Sequence, residues 1–299
     1  MVQHIGRREV LVGAAAAFAG AAGSRVALGA TPAADKSTAV AAKLAALETK
    51  NGGRLGVSIL DLETQARAGH RESERFAMCS TFKFLAAACV LSRVDRGLER
   101  LDRRLTFTAA DLMPNSPITK AHVADGMTMA ELCEAAVTVS DNTAANLMLA
   151  SYGGPGGWTA YARSIGDQVS RLDRMEPQLN DWKFGDVRDT TSPAAMTDDL
   201  RKVVLGDALS AASRDRIAAW LVASKTGGKR LRAGLPAAWK VGDKTGTSAT
   251  DIANDIAVVW PPGRAPLIVS CYFAGAPLTD EQRNAAIAEV GAIATAFVS

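Results

Sequence analysis

The sequence predicts an α/β domain, built on an antiparallel sheet flanked by helices, with an all-α domain inserted into it. Segments typical of strands occur near both ends of the chain. From Thr81 to about Ala223 the apolar residues instead recur mostly at helical spacing. Because both ends contribute strands and the centre contributes helices, we expect the ends to pair into one sheet. A cleft between two such domains is a usual place for a functional site.

The N-terminal part of the predicted α/β domain begins with a helix. Thr38 to Lys50 carries apolar residues at helical spacing and ends at Asn51-Gly52-Gly53, a helix stop followed by a turn. Arg54 to Leu60 then has the composition of a strand.

The C-terminal part mirrors this order. Ile256 to Trp260 predicts a strand, Pro261-Pro262-Gly263 a turn, and Leu267 to Phe273 a further strand. Thr279-Asp280 is expected to cap a terminal Ala-rich helix that extends to about Phe297.

These segments set the predicted domain boundaries. Residues 35–71 and 222–299 form the α/β domain, and residues 72–221 form the all-α domain. Within the latter, the glycine-rich run from Gly153 to Gly157 predicts a break between helices.

The first 34 residues resemble an export signal. Arg7-Arg8 precedes the Ala/Gly-rich, weakly hydrophobic segment Leu11 to Gly23, and Ala27 to Ala34 offers small-residue cleavage points. The arginine pair favours the twin-arginine route. Arg25 interrupts the segment too early for a membrane span, so we expect no stable membrane anchor and a periplasmic or secreted mature protein.

Composition and residue counts exclude several classes of protein. Hydrophobic residues make up 48% and charged residues 22% of the chain, as in ordinary globular proteins. The net charge of +3 is not concentrated in one basic run, which argues against nucleic-acid binding. Outside the signal only His70 and His122 are present, and the four cysteines form no CxxC pair. Neither a metal site nor a cofactor is therefore predicted.

Ser80 and Lys83 are the first candidate catalytic residues. The apolar run from Phe84 to Leu91 predicts a buried helix with Ser80 at its N-terminus, and residues three apart share a helix face. Burial and neighbouring cations lower the pKa of a lysine, which lets Lys83 act as a base where histidine is absent. Alone, this S-x-x-K pattern is weak, and a helix cap followed by a surface lysine explains it equally well.

Ser140-Asp141-Asn142 is a rarer pattern. The hydroxyl of Ser140 can relay a proton to a leaving nitrogen, and the amide of Asn142 can bind substrate or a lysine. The alternative is structural, since Asp141-Asn142 is also well suited to cap the next helix.

Lys244-Thr245-Gly246-Thr247 precedes the last pair of predicted strands and is expected on an edge strand. Lys244 supplies a positive charge, Thr245 and Thr247 supply hydroxyls, and Gly246 lets a ligand approach the backbone. The similar run Lys225-Thr226-Gly227 is instead interpreted as the end of a helix, with Gly227-Gly228 as its stop signal.

The order S-x-x-K, S-D-N and K-T-G is the set found in class A β-lactamases and penicillin-binding proteins. Glu176-Pro177-Gln178-Leu179-Asn180 resembles the omega-loop motif of the class A enzymes. Arg174 and Asp189 stand at the positions where that family closes the loop with an ion pair. We call residues 174–189 the omega loop. Over nearly the whole mature length the chain thus resembles a class A β-lactamase. The resemblance implies a deacylating water held by Glu176 and Asn180, an element that penicillin-binding proteins lack.

The resemblance also implies a catalytic cycle that needs no cofactor. Its substrate is a small-molecule β-lactam, either a penicillin or a cephalosporin. Lys83, or Glu176 through water, removes the Ser80 proton, and both routes stay open. The resulting alkoxide attacks the lactam carbonyl, and the N–H groups of Ser80 and Thr247 hold the oxyanion. Ser140 then protonates the departing nitrogen, and Glu176 activates the water that cleaves the ester.

The substrate carboxylate is expected to bind Lys244 and a second cation. Many family members carry an arginine on the following strand, where Ala253 and Asn254 stand here. Arg230 matches the alternative arginine of other members, although a surface arginine is the simpler interpretation.

Three departures from the family pattern bear on specificity. Asn115 occupies a rim position that is often aromatic, and Thr247-Ser248 is similar to members that handle cephalosporins well. Cys79 is present as in the serine carbapenemases, but Ser248 stands where their partner cysteine would be. The sequence therefore favours a cephalosporinase without that disulfide.

Two other functions are weighed against this one. A D,D-peptidase of the same superfamily would not need Glu176 and Asn180, and a binding module with this fold would not need the full catalytic set. Cleavage of a D-Ala-D-Ala peptide, or failure to acylate with a labelled penicillin, would favour them. We expect a monomer.

Overall fold

The structure, a computed structural model, describes residues 32–299, with side chains from residue 35 onward. The predicted export signal at residues 1–34 lies outside the described residues, apart from the backbone of its last three. The stretch Pro32–Ser299 groups into one compact unit, and the predicted boundaries between an α/β and an all-α domain stay a prediction. Among the described residues, no helix is long and apolar enough to cross a membrane.

Strands from both ends of the chain form the main sheet. The strands are β1 (Arg54–Asp61), β2 (Arg67–His70), β3 (Phe76–Ala77), β4 (Arg104–Leu105), β5 (Met127–Thr128), β6 (Thr190–Thr191), β7 (Lys240–Thr247), β8 (Ala253–Trp260) and β9 (Leu267–Ala274). Five of them pair antiparallel in the order β2-β1-β9-β8-β7. The predicted antiparallel sheet is confirmed, and β7 lies at its edge as expected for the segment that carries Lys244.

Helices cover the sheet and occupy the centre of the chain. They are α1 (Pro32–Asn51), α2 (Phe82–Asp95), α3 (Met129–Thr138), α4 (Asn142–Ala150), α5 (Gly154–Ser164), α6 (Pro193–Leu200), α7 (Ala211–Val222), α8 (Leu231–Gly234) and α9 (Asp280–Val298). A π-helical turn, Arg201–Leu205, continues α6. Short 3-10 turns include Cys79–Thr81, just before α2, and Gln178–Asn180 in the omega loop.

Local sequence signals set several helix ends. The hydroxyl of Thr279 accepts from the Gln282 N–H and the Gln282 side chain accepts from the Thr279 N–H, which is a capping box at the start of α9. The predicted break between helices is present but lies at residues 151–153, between α4 and α5, and the run from Gly154 to Gly157 already belongs to α5. Gly153 precedes the first turn of α5 and adopts φ 94°. Pro155 is tolerated within that first turn, because an N–H group there has no partner inside the helix.

Two apolar clusters stabilise the fold. One packs sheet residues such as Val57 and Val269 against α1 and α9, through residues such as Leu44 and Val290. The other surrounds α2, in which every residue from Phe82 to Leu91 is buried. Each fully buried Leu or Phe contributes about 1.5–3 kcal/mol relative to exposure. This packing fixes α2 and therefore the position of the serine that precedes it.

Candidate active site

A cleft of about 570 Å³ lies where the start of α2, the edge strand β7 and the omega loop meet. The predicted site residues that line it are Ser80, Ser140, Asn142, Asn180, Arg230, Thr245 and Thr247. Lys83, Glu176 and Lys244 contact lining residues from fully or almost fully buried positions. The fold thus assembles residues from distant parts of the sequence around one serine.

Lys83 lies one helical turn after Ser80, and its ammonium group is surrounded by oxygen atoms. Its Nζ is 2.9 Å from Ser80 Oγ and 3.1 Å from Glu176 Oε1. It also donates to the backbone oxygen of Ser140 at 2.9 Å and to Asn142 Oδ1 at 2.5 Å. Burial lowers the pKa of Lys83, while the charge of Glu176 opposes that shift. The predicted Ser80–Lys83 contact is therefore present in a site where a lysine can exchange a proton.

Glu176 reaches the same serine from the omega loop. Ser80 Oγ donates to its Oε1 at 3.2 Å, and Asn180 Nδ2 donates to its Oε2 at 2.6 Å. Asn146 fixes the backbone of Glu176, since its Nδ2 donates to the Glu176 oxygen and its Oδ1 accepts from the Glu176 N–H. Sequence reasoning missed Asn146, although it lies one helical turn after Asn142 on α4. Both candidate bases, Lys83 and Glu176, reach the Ser80 hydroxyl.

An ion pair closes the omega loop, as predicted from the sequence. Arg174 Nε is 2.6 Å from Asp189 Oδ2, and the other carboxylate oxygen accepts from the N–H groups of Asp173 and Arg174. The Asp189 backbone oxygen also accepts from the N–H of Met78, two residues before Ser80. The pair thus connects the loop that carries Glu176 to the turn that carries the serine.

Ser140 lies between the two buried lysines. Its Oγ is 3.2 Å from both Lys83 Nζ and Lys244 Nζ. Burial, and next the charge of Lys83, lower the pKa of Lys244 to about 7. A hydroxyl between two such ammonium groups is well placed to pass on a proton.

The neighbours of Ser140 have structural contacts. Asp141 caps α4, because its carboxylate accepts from the Ala144 N–H and also binds Thr119, so the structural interpretation holds for this residue. Asn142 uses its oxygen for Lys83 and its amide nitrogen for the Pro114 backbone oxygen.

Arg230 is buried and points at β7, so the simpler interpretation as a surface arginine is wrong. Its guanidinium donates to Thr247 Oγ1 at 2.7 Å and to the backbone oxygens of Gly246 and Asn254 at 2.9 and 2.7 Å. Burial lowers its pKa and the charge of Asp255 opposes that shift. Its positive charge therefore lies beside the β7 hydroxyls that face the cleft.

A buried lysine, a buried carboxylate and a relay hydroxyl around one serine are the parts of a covalent hydrolase. A family model described as "Beta-lactamase enzyme family" matches residues 39–298. A solved structure described as the "Putative Class A Beta-Lactamase PenP from Rhodopseudomonas palustris" is 59% identical, with a TM-score of 0.85 over 86% of this chain and 99% of that one. The chain belongs to the class A β-lactamases.

Further relatives agree with this assignment. "Beta-lactamase L2" of Stenotrophomonas maltophilia is 48% identical over 265 residues, covering 88% of each chain. "Beta-lactamase AST-1" of Nocardia asteroides is 49% identical, covering 83% of this chain and 80% of the relative. The structure named "Ancestral (GNCA) Beta-lactamase class A" is 60% identical, with a TM-score of 0.84 over 85% of this chain and 98% of that one. The protein is a serine hydrolase of β-lactams, and this function confers resistance to them.

Gly246 has a packing role in this β-lactamase that the sequence did not predict. A Cβ atom there would lie 2.6 Å from the Met78 backbone oxygen and 3.2 Å from Cys79 Cβ. The glycine is therefore needed because β7 packs closely on the turn before Ser80, and the approach of a ligand at this point stays a prediction.

The structure also corrects the interpretation of Lys225-Thr226-Gly227 as a helix end. Helix α7 ends at Val222, and Thr226 lines the cleft, where its hydroxyl accepts from Thr245 Oγ1 at 2.7 Å. Gly227 makes room for a side chain on β7, since a Cβ there would lie 1.8 Å from the Asp243 carboxylate.

The residues expected to affect specificity are at the rim or beneath it. Asn115 lines the cleft with φ 58° and donates to the Ser140 backbone oxygen at 3.1 Å. Ser248 lines it as well. The four cysteines are buried and free, Cys79 among them. Within residues 32–299, no group of three or more His, Cys, Asp or Glu is arranged to hold a metal ion.

Proposed function

We propose that Ser80 is the nucleophile of this β-lactamase and that Glu176 activates the water that releases the acyl-enzyme. The contact that carries the proposal is the chain of hydrogen bonds from Ser80 Oγ through Glu176 to Asn180. It joins the acylated atom to a carboxylate that is 2% exposed. Water activated there is directed at the ester carbon and is shielded from bulk solvent.

Acylation begins when the Ser80 proton moves to Lys83 or to Glu176, both within reach of the hydroxyl. The alkoxide attacks the lactam carbonyl carbon, and the C–N bond of the ring breaks. The N–H groups of Ser80 and Thr247 stabilise the oxyanion, because hydrogen-bond donors already in place lose little energy in reorganisation. The departing nitrogen takes its proton from the Ser140 hydroxyl, which Lys83 and Lys244 flank.

Deacylation depends on Asn180 as well as Glu176. The Oδ1 of Asn180 is buried and receives no hydrogen bond from the described residues. It is therefore available to accept from a water molecule, while Glu176 takes a proton from the same water. Buried polar atoms are seldom left without a partner, which favours a bound water at this point.

Glu176→Gln tests the assignment. The amide keeps the shape of the carboxylate but cannot take a proton, so the variant should accumulate a species heavier by one intact penicillin in mass spectrometry. Fast acylation of this variant would assign proton removal to Lys83, and slow acylation would assign it to Glu176. Glu281→Gln, exposed on α9, is the matched control. Steady turnover by Glu176→Gln without an acyl-enzyme would contradict the proposed role.

The substrate carboxylate binds at the β7 end of the cleft. Lys244 and Arg230 supply positive charge, and Thr245 and Thr247 line the cleft and supply hydroxyls. Charged groups that are largely buried attract an anion more strongly than exposed ones, because water screens them less. Thr247 and Ser248 line the cleft and resemble family members that handle cephalosporins well, so they favour such substrates. Initial rates with a penicillin, an oxyimino-cephalosporin and a carbapenem would test that preference.

We further propose export to the periplasm or beyond, with residues 1–34 removed, and a monomeric mature enzyme with an α/β and an all-α domain. N-terminal sequencing of the exported protein and light scattering would test these statements. Comparing nitrocefin hydrolysis with cleavage of a D-Ala-D-Ala peptide would separate the enzyme from a D,D-peptidase.

A further inference from the structure

Two aromatic residues, Trp182 and Phe184, stand at the tip of the omega loop. Their rings meet edge to face with the centroids 6.5 Å apart, but the two side chains differ in exposure. Phe184 is 79% exposed. Trp182 is half-buried and packs against a small cluster formed by Ala77, Cys79, Ile252 and Ala274. Its indole Nε1 donates to the Asp186 backbone oxygen at 2.7 Å. The ring of Trp182 is therefore fixed on one side by apolar contacts and on the other by its own loop.

The cluster beneath Trp182 joins three segments, namely the turn before Ser80, the turn after β7 and the end of β9. Cys79 precedes Ser80 directly and adopts φ 43°, a conformation that a non-glycine residue holds only when its surroundings enforce it. Ile252 belongs to the turn after β7, where its backbone oxygen accepts from the N–H of Ser248. Packing on this cluster therefore places the indole against the serine turn and against the rim of the cleft.

Trp182 lies only two residues after Asn180, which donates to Glu176. The backbone of Glu176 has its own support from Asn146, on α4. Asn180, in contrast, is bonded mainly within the loop, because its backbone N–H and its side-chain Nδ2 both donate to the Pro177 backbone oxygen. Trp182 follows two residues later in the chain. The buried Leu179 and the bond from Arg174 to the Asp181 oxygen also hold this side of the loop, and the indole adds an apolar contact with the serine turn.

We propose that Trp182 is a positioning residue for deacylation. By packing on Ala77 and Cys79 it holds Asn180, and through Asn180 the carboxylate of Glu176, at a fixed distance from the acylated serine. The proposal rests on the roles given to Ser80 and Glu176 above. Lys83 pairs with Glu176, but the oxygens of Ser140 and Asn142 also hold its ammonium group. A displaced loop tip should therefore affect deacylation, which needs both Asn180 and Glu176, more than acylation.

The test measures acylation and deacylation separately, with a penicillin and rapid-quench mass spectrometry. Trp182→Ala should slow deacylation by on the order of 10-fold to 100-fold, the scale expected when a catalytic group is misplaced by about 1 Å. Acylation should slow by a smaller factor than deacylation, so the acyl-enzyme accumulates during turnover. Val187→Ala is the matched control, since it shortens a 48% exposed apolar side chain of the same loop, and it should behave as the parent enzyme.

Trp182→Phe keeps most of the apolar contact but loses the bond to Asp186. It should recover most of the deacylation rate. If Trp182→Ala does not fold, the rates of Trp182→Phe are compared with those of the parent enzyme instead. Equal losses of acylation and deacylation in the Trp182 variants, or deacylation at the parent rate in both, would overturn the proposal. Failure of the proposed function would differ, because Glu176→Gln measured in parallel would then also turn over without an acyl-enzyme.

Discussion

Two buried carboxyl groups, Asp167 and Asp199, flank the omega loop in sequence. Asp167 Oδ1 accepts from the N–H groups of Val169 and Ser170. Its Oδ2 and both oxygens of Asp199 are buried and receive no hydrogen bond from the described residues. The two carboxyls can hydrogen-bond to each other only when one of them carries a proton. Since Asp167 is already an acceptor, we assign that proton to Asp199.

The sign of the pH dependence follows from this assignment. Burial, and next the charge of Asp167, raise the pKa of Asp199 well above its usual range, and the nearby Lys202 lowers it only in part. Between the unfolded and the folded pKa of Asp199 the native state binds more protons than the unfolded state. The free energy of unfolding therefore falls as the pH rises through that window, by about 1.4 kcal/mol per pH unit.

Asp199→Asn removes this penalty. The amide has nearly the shape of the carboxyl group, cannot ionise, and can donate to Asp167 Oδ2. Each pH unit inside that window costs the parent about 1.4 kcal/mol, so a window of only one to two units below pH 8 makes the variant more stable than the parent by about 1–3 kcal/mol near pH 8. For a chain of this size the gain corresponds to an increase in Tm of roughly 2–10 °C. Near pH 4, where the carboxyl group is protonated anyway, the difference should shrink to a few tenths of a kcal/mol, within roughly ±0.5.

Thermal and urea unfolding at about pH 4 and about pH 8 measure the effect. Asp198→Asn is the matched control, because Asp198 is half-exposed and pairs with Arg67 at 2.5 Å. Its substitution should give no gain at the higher pH. The reasoning is refuted if Asp199→Asn destabilises the protein near pH 8 or changes its stability equally at both pH values.

Two further predictions concern the carboxylate subsite. Arg230→Ala should lower kcat/KM for a penicillin by roughly 10-fold to 150-fold, the value of a charge-assisted hydrogen bond, with a larger change in KM than in kcat. Arg230→Lys should recover part of the loss, whereas a fall in kcat at constant KM would contradict the binding role. Because the pKa of Lys244 is lowered to about 7, kcat/KM should fall as the pH rises beyond that value and the ammonium group loses its proton. Lys244→Arg should abolish this decline, since a guanidinium stays charged; pH–rate profiles of the same shape for both enzymes would exclude the explanation.

The parts of the fold that depend on local signals were predictable from the sequence. The terminal helix and its Thr279 cap, the strands at both ends and the edge position of β7 all follow from periodicity and turn residues. Strand β2 was not predicted, because Arg67–His70 is short and has no alternation of apolar and polar residues. Its place in the sheet comes from pairing with β1, which is a long-range contact.

For some site residues the interpretation from sequence was incomplete or wrong, because their roles depend on contacts between distant segments of the chain. Thr226 was interpreted as part of a helix end, because the two glycines after it are a common stop signal. The strand β7 gives this segment a different role, since Gly227 accommodates the Asp243 carboxylate and Thr226 binds Thr245. Gly246 was correctly singled out, but the atoms that exclude a side chain there come from the turn before Ser80. Local sequence therefore indicates that a residue is special, whereas packing shows why.

The electrostatics of the site limit how its variants can be interpreted. Lys83 and Glu176 are both buried and pair at 3.1 Å, so removing either one leaves the other charge without its partner. Breaking a buried pair costs about 3–5 kcal/mol, and a loss of activity at Lys83 therefore combines lost chemistry with lost stability. Ser80 is only half-buried, and Ser80→Ala removes an uncharged hydroxyl. A comparison of unfolding free energies for Ser80→Ala, Lys83→Ala and the double variant Lys83→Ala/Glu176→Ala separates the two effects. The double variant should recover stability relative to Lys83→Ala, because no uncompensated charge then remains at that position.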